Sequence, residues 1–308
     1  MTDDNTEKRA AVFPMFMMGS LFVIIHFLSI LIAKPFEDTG LDVFDNPNDP
    51  TNLLIFFAIM LVVTATILLI AKFWKKQFIQ VIILGSIAYT SVFVFYPLLS
   101  FVVSEPILSA LSILATAILI VALIKHPEWY IINLCGIIVG VGAIGIFGIS
   151  LSIFLVIVLL LGLSIYDAIS VYKTKHMIDL ADAVMDLKLP VMLVVPKTWQ
   201  YSILKETKGL KEKLEEKEER EAFFMGLGDI VMPGILVVSS FYNIADNGLL
   251  IALSVMIGTL IGFAVLMSVV IKGKPQAGLP YLCSGAILGY VISSLLLSGG
   301  LAGFVLPF

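Results

Sequence analysis

The sequence predicts an all-α polytopic membrane protein with nine transmembrane helices, a cytoplasmic amino terminus and an external carboxyl terminus. Of its 308 residues, 59% are hydrophobic and only 14% are charged, whereas soluble domains carry about 45–50% apolar and about 25% charged residues. Apolar segments of about 20 residues recur along the chain, which is the length that crosses a bilayer as a helix. No basic patch indicates nucleic-acid binding.

Polar breaks between the apolar segments give the predicted helices. They lie near 12–33, 52–71, 78–99, 105–124, 130–148, 149–172, 221–240, 248–271 and 279–298. The boundary between the fifth and sixth is marked only by the glycines of "GVGAIGIFGISLSIF". We expect one membrane-embedded domain over residues 1–308, with helices one to six over about 12–172, a cytoplasmic loop over 173–220 and helices seven to nine over about 221–298.

The distribution of basic residues sets the predicted orientation. With nine helices, 18 of the 19 Lys and Arg residues fall on one side of the membrane and only Lys34 falls on the other. Ten of the 18 lie in the long 173–220 loop, but the short loops alone keep the same bias. Basic residues concentrate in cytoplasmic loops, so the amino terminus is predicted to be cytoplasmic.

The long loop contains an apolar stretch and a charged stretch. "LKLPVMLVVPK" is too short to span, and its β-branched residues favour an extended strand at Val191–Val195, which either packs against the bundle or pairs with an extended peptide. "KETKGLKEKLEEKEER" is typical of a solvated helix or disorder. The two cysteines, Cys135 and Cys283, lie in apolar segments without metal or disulfide spacing, so we expect buried packing.

Three ionisable side chains lie well inside the predicted spans: His26, Asp167 and Asp229. A charge in the bilayer costs at least about 2.5–3.5 kcal/mol, so such residues are candidates for function. For His26 we expect a core histidine that bonds a neighbouring backbone group. Asp167 precedes Lys173 by six residues and Asp229 follows Arg220 by nine, which predicts similar depths on adjacent antiparallel helices. The two carboxyl groups are therefore expected to face each other.

Two carboxyl groups in a poorly hydrated site share one proton and titrate as a coupled pair. Such a pair can activate water with one member and polarise a peptide carbonyl with the other, without a cofactor, a metal or a nucleophilic serine. Gly226 and Gly228 would let another backbone approach Asp229. Pro233 cannot donate to the carbonyl of Asp229 and favours a local kink.

These residues match known motifs. "YD" at Tyr166–Asp167 and "GLGD" at Gly226, Leu227, Gly228 and Asp229 resemble the paired motifs of the presenilin and signal peptide peptidase family of GxGD intramembrane aspartyl proteases, in the manner of a prokaryotic-type presenilin homologue. A third family motif, Pro-Ala-Leu before the last helix, corresponds to Ala277, Gly278 and Leu279, followed by Pro280, so only the leucine is retained. In the family this segment lies beside the catalytic pair and shapes the site.

The resemblance implies an intramembrane aspartic endopeptidase. Asp167 and Asp229 would be catalytic, with Tyr166, Gly226, Leu227, Gly228 and the 277–280 segment shaping the site. The expected partners are transmembrane protein substrates and the lipid bilayer, and a homo-oligomer is compatible with the sequence. We expect a multi-pass protein of the cell membrane with no cofactor.

Two other functions use similar residues. An ion-coupled secondary transporter can carry protons or sodium on embedded aspartates, although the two halves of this chain show no repeated hydropathy pattern. A prepilin-type GxGD peptidase also uses a G-x-G-D aspartate but cuts at the membrane surface. The missing C-x-x-C pairs and the Tyr166–Asp167 partner motif argue against that class.

Overall fold

The computed structural model describes residues 3–44, 46–73, 76–174, 192–203, 221–270 and 276–306. Within these ranges the chain forms nine α-helices and a two-stranded sheet. The helices are α1 (Asp3–Asp38), α2 (Thr51–Phe73), α3 (Lys76–Ser100), α4 (Ile107–Lys125), α5 (Trp129–Ser150), α6 (Ile153–Ile169), α7 (Leu227–Asn243), α8 (Gly248–Val270) and α9 (Leu279–Ser298). A π-helical turn, Ser170–Thr174, extends α6, and the strands are β1 (Met192–Pro196) and β2 (Ala222–Gly226).

Seven of the described helical segments are long and apolar enough to cross a membrane. They lie in α1, α3, α4, α5, α6, α8 and α9. The apolar segment Thr51–Thr66 of α2 and the helix Leu227–Asn243 are shorter. The chain is therefore an integral, multi-pass membrane protein.

The predicted seventh helix, 221–240, is wrong at its beginning. Residues Ala222–Gly226 form β2, which pairs antiparallel with β1, and the helix begins only at Leu227. Apolar, aromatic residues such as Phe223 and Phe224 suit a strand as well as a helix, and the pairing partner decides between them. Asp229 consequently lies in the first turn of α7 rather than nine residues inside a helix.

The strand predicted at Val191–Val195 is confirmed for the described residues, as Met192–Pro196. Its side chains Leu193, Val194 and Val195 are buried, and the strand packs against α5. Val191 and the whole charged stretch 205–220 lie outside the described residues, so the prediction for "KETKGLKEKLEEKEER" stays untested.

The boundary between α5 and α6 is confirmed by a break at Leu151 and Ser152. Leu151 is extended, and its carbonyl accepts hydrogen bonds from Ser239 Oγ at 2.9 Å and Asn243 Nδ2 at 3.4 Å, both on α7. The Ser152 N–H donates to the carbonyl of Pro47 at 3.0 Å. The hydrogen bonds of Ser239 and Asn243 anchor the carboxyl-terminal end of α7, the end opposite to Asp229.

The core lies where α1, α5, α7, α8 and α9 meet. Helices α8 and α9 touch backbone to backbone, since a Cβ on Gly258 would overlap the carbonyl of Gly285. Cys135 and Cys283 are free and buried, as expected. This packing brings the amino-terminal ends of α7 and α9 together beside α6.

Candidate active site

Asp229 lies at the beginning of α7, directly after the strand. Gly226 caps the helix in an extended conformation (φ −60°, ψ 135°), and Asp229 is the acidic residue of the first turn. The unpaired N–H groups and the dipole at a helix amino terminus favour a negative charge there. The change from β2 to α7 therefore places the carboxyl group in the first turn of that helix.

Asp167 lies near the end of α6 and contacts the beginning of α9. The Leu279 N–H donates to Asp167 Oδ2 at 3.1 Å. Leu279 is the first residue of α9, so this donor belongs to the amino terminus of that helix. Asp167 thus bonds the beginning of α9, and Asp229 lies in the first turn of α7.

The two carboxyl groups lie against the same short segment. The Leu279 N–H donates to Asp167 Oδ2, and a Cβ on Gly278 would lie 2.8 Å from Asp229 Oδ2. Both aspartates are partly buried. The predicted helices six and seven therefore carry the two acids as α6 and α7, and both acids lie next to the beginning of α9. That the two act as a catalytic pair stays a prediction.

Gly278 closes the space beside Asp229 on one side. A Cβ on Gly278 would lie 2.8 Å from Asp229 Oδ2 and 3.1 Å from its Cγ. Ala277 is fully buried beneath it, and Pro280 stands in the first turn of α9, as the sequence predicted. The "AGLP" segment therefore contacts both acids, through the Leu279 amide on one and Gly278 on the other.

The remaining motif residues differ in surroundings. Leu227 is buried and reaches the glycines of α5, because a Cβ on Gly140 would lie 3.4 Å from its Cδ1. Gly228 is exposed with open space where a side chain would be, and Gly226 lies beside the carboxyl of Asp229. Tyr166 is 69% exposed, so its ring projects from the bundle next to Asp167.

Several contacts near the pair have no signal in the sequence. Ser164 Oγ donates to the Leu279 carbonyl at 3.4 Å, and Tyr172 Oη donates to Gln276 Oε1 at 2.8 Å, so α6 and its π turn bond the "AGLP" segment and the residue just before it. The only sequence signal for Ser164 is its position three residues before Asp167, which places both side chains on the same face of α6. Cys283 also lies close to the pair, next to Ser164.

His26 on α1 is fully buried and bonds the backbone directly after Asp229. Its Nε2 lies 3.1 Å from the Ile230 carbonyl, which can only accept, so Nε2 carries the proton. The ring fills the space above Gly234, where a Cβ would lie 2.9 Å from it. The expectation of a core histidine bonded to a neighbouring backbone is confirmed.

Comparison with known proteins identifies the class. The family model described as signal-peptide peptidase, presenilin aspartyl protease matches residues 19–299. The chain therefore belongs to the presenilin and signal peptide peptidase family, and it is an intramembrane aspartate protease.

Two solved structures are similar over nearly the whole chain. A presenilin family intramembrane aspartate protease in space group C222 is 31% identical, with a TM-score of 0.70, over 92% of this chain and 99% of that one. Another, in space group P2, is 32% identical, with a TM-score of 0.67, over 91% and 96%. No curated protein sequence matches.

Proposed function

We propose that this protein hydrolyses peptide bonds within transmembrane segments of other proteins, with Asp167 and Asp229 as the catalytic residues. The observation that carries the proposal is that both carboxyl groups lie against the beginning of α9, since Asp167 accepts from the Leu279 N–H and Asp229 lies beside Gly278. Tyr166, Gly226, Leu227, Gly228 and the 277–280 segment are proposed to shape the site. The family assignment supports this activity over transport.

The chemistry follows from a carboxyl pair that holds one proton. The ionised aspartate takes a proton from a water molecule while the water oxygen attacks the peptide carbonyl carbon, and the protonated aspartate gives its proton to the carbonyl oxygen. The resulting gem-diol passes a proton to the amide nitrogen, and the C–N bond breaks to give a carboxylic acid and an amine. The Leu279 N–H can only donate to Asp167 Oδ2, which leaves Oδ1 for the proton or the water.

A substrate helix must unwind before its carbonyl groups reach the pair, and β2 offers a place for the unwound chain. The backbone groups of Val194 bond the Asn133 side chain, so Val194 and its partner Phe224 form a pair that is not hydrogen-bonded across the sheet. The N–H and C=O of Phe224 therefore point to the outer edge of β2, where no strand among the described residues pairs with them. We propose that the substrate strand adds there by β-augmentation, and not on β1, which the sequence analysis left open as an alternative to packing against the bundle.

The proposed topology is nine membrane-crossing segments with the amino terminus in the cytoplasm. At one end of the bundle the Trp199 ring, after β1, packs at a tilt against the rings of Phe13 on α1 and Trp129 on α5, with ring centroids 5.8 Å apart in each case. At the other end the Val43 N–H donates to Ser150 Oγ at 2.8 Å. These contacts support alternating helices with the active site near the cytoplasmic side, and we propose the cell membrane as the location.

The activity is tested by incubating the purified protein in detergent with a transmembrane peptide and, separately, with a soluble leader peptide. Mass spectrometry of the products should place the cut inside the apolar segment of the transmembrane peptide. A cut confined to the leader peptide would indicate a prepilin-type peptidase. Proton or sodium flux in liposomes without any peptide cleavage would indicate a transporter.

A further inference from the structure

The outer edge of β1 is occupied by a side chain instead of a strand. Asn133, in the second turn of α5, is 4% exposed. Its Nδ2 donates to the Val194 carbonyl at 2.7 Å, and its Oδ1 accepts from the Val194 N–H at 2.8 Å. One carboxamide thereby satisfies both backbone groups of one residue, as a neighbouring strand would.

Helix α5 is shaped to let β1 come this close. Gly136 follows Asn133 by three residues and lies on the same face, and a Cβ there would be 2.7 Å from Leu193 Cδ2. Leu193 and Val195, on either side of the bonded Val194, are buried. The glycine sets the distance between helix and strand, and the asparagine sets the position of the strand along the helix.

We propose that Asn133 is a positioning residue that holds β1 against α5 in the free enzyme and so forms the β1–β2 sheet before substrate arrives. It also closes the outer edge of β1, which leaves β2 as the edge that receives the substrate strand. This inference rests on the proposed function, which gives the sheet a strand to bind.

Whether β1 is ordered before or during substrate binding determines the KM. Fixing a strand of several residues costs conformational entropy, and a preformed sheet carries that cost in the folding of the enzyme instead of in substrate binding. Without Asn133, β1 would have to be ordered at each binding event. Substrate binding would weaken, whereas the carboxyl pair on α6 and α7 would keep its chemistry.

The test uses Asn133→Ala and Asn133→Ser, both of which remove the two hydrogen bonds to Val194. The serine hydroxyl can bond a carbonyl of its own helix, so its own polar group is satisfied, and Asn133→Ser serves as a second variant if Asn133→Ala does not fold. The matched control is Ser202→Ala. It removes the bond from Ser202 Oγ to Glu128 Oε1 at 2.6 Å, which ties the same segment to the beginning of α5 outside the sheet. Amide hydrogen exchange is measured on the free enzymes, and KM and kcat are measured with a transmembrane peptide.

We expect exchange at the amides of residues 192–195 to be about tenfold faster in both Asn133 variants, and KM about tenfold higher with kcat unchanged, because two hydrogen bonds to the backbone of Val194 are lost. Ser202→Ala should change neither KM nor exchange in β1. Unchanged exchange in β1 would overturn the proposal, as would faster exchange with an unchanged KM or a loss confined to kcat. Hydrogen exchange is measured without substrate. If the wild type cleaved no peptide, the proposed function would be refuted, and the exchange data would still decide whether Asn133 holds β1.

Discussion

Gly278 is one of two residues at which the chain departs from Pro-Ala-Leu, and it lies beside Asp229. A side chain there would have to displace the Asp229 carboxyl group, whose Oδ2 lies 2.8 Å from the position of a Cβ. We predict that Gly278→Val lowers the rate of peptide cleavage by at least about tenfold, because small displacements of reacting groups are costly. The measurement is kcat in detergent.

The matched control for that substitution is Gly162→Val on α6, five residues before Asp167. A Cβ on Gly162 meets nothing within 4 Å, so its rate should stay close to that of the wild type. Equal cleavage rates for the two variants would show that a side chain beside Asp229 does not affect catalysis.

His26 connects α1 to the backbone immediately after Asp229 through its 3.1 Å contact with the Ile230 carbonyl. We predict that His26→Leu lowers kcat by about tenfold and leaves KM unchanged, since the first turn of α7 loses its lateral support. Ser239→Ala is the control, because it removes a buried hydrogen bond from the same helix, ten residues beyond Asp229. Equal losses of kcat in the two variants would mean that His26 only stabilises the fold.

The small sheet is the element that hydropathy could not predict correctly. A window over "AFFMG" is as apolar as a helix, and its partner "MLVVP" lies about 25 residues earlier in the chain, so nothing local distinguishes strand from helix. β1 was recognisable because Pro190 and Pro196 bracket a run that is too short to span. Asn133 gave no signal, since a single polar residue near a helix end is ordinary.

The outer edge of β2 gives a prediction for the sheet. Phe224→Pro removes an N–H that points outward and makes no hydrogen bond to β1. The β1–β2 pairing should therefore survive, because proline is tolerated on an edge strand. We expect KM for a transmembrane peptide to rise about tenfold. Phe224→Ala keeps the N–H and separates the backbone effect from the loss of the ring. Equal KM values for the two variants would contradict strand addition at this edge.

At the scale of the whole molecule, the sequence was sufficient for the class and for placing Asp167 and Asp229 on the sixth and seventh helices, because ionisable residues in apolar helices are rare and costly. Long apolar segments such as α5 and α8 lie close to their predicted ranges. The sequence could not predict that Asp167 bonds the Leu279 amide, since that contact joins residues 112 positions apart. Contacts of this kind are decided by packing between helices.

The proposed topology predicts which loops are accessible from outside the cell. Thr39 and His126 are both exposed, on opposite predicted sides, and the native Cys135 and Cys283 are buried. A membrane-impermeant maleimide should label Thr39→Cys in intact cells and His126→Cys only after lysis. Labelling of His126→Cys in intact cells would reverse the orientation.

The central claim is that Asp167 and Asp229 act together on a peptide bond. The most direct measurement is the rate of transmembrane peptide cleavage by the wild type, Asp167→Ala, Asp229→Ala and, as a control, the exposed Asp246→Ala. We predict that each of the first two substitutions lowers the rate by at least about a hundredfold and that Asp246→Ala leaves it unchanged. Cleavage at the wild-type rate by either Asp167→Ala or Asp229→Ala would contradict the account.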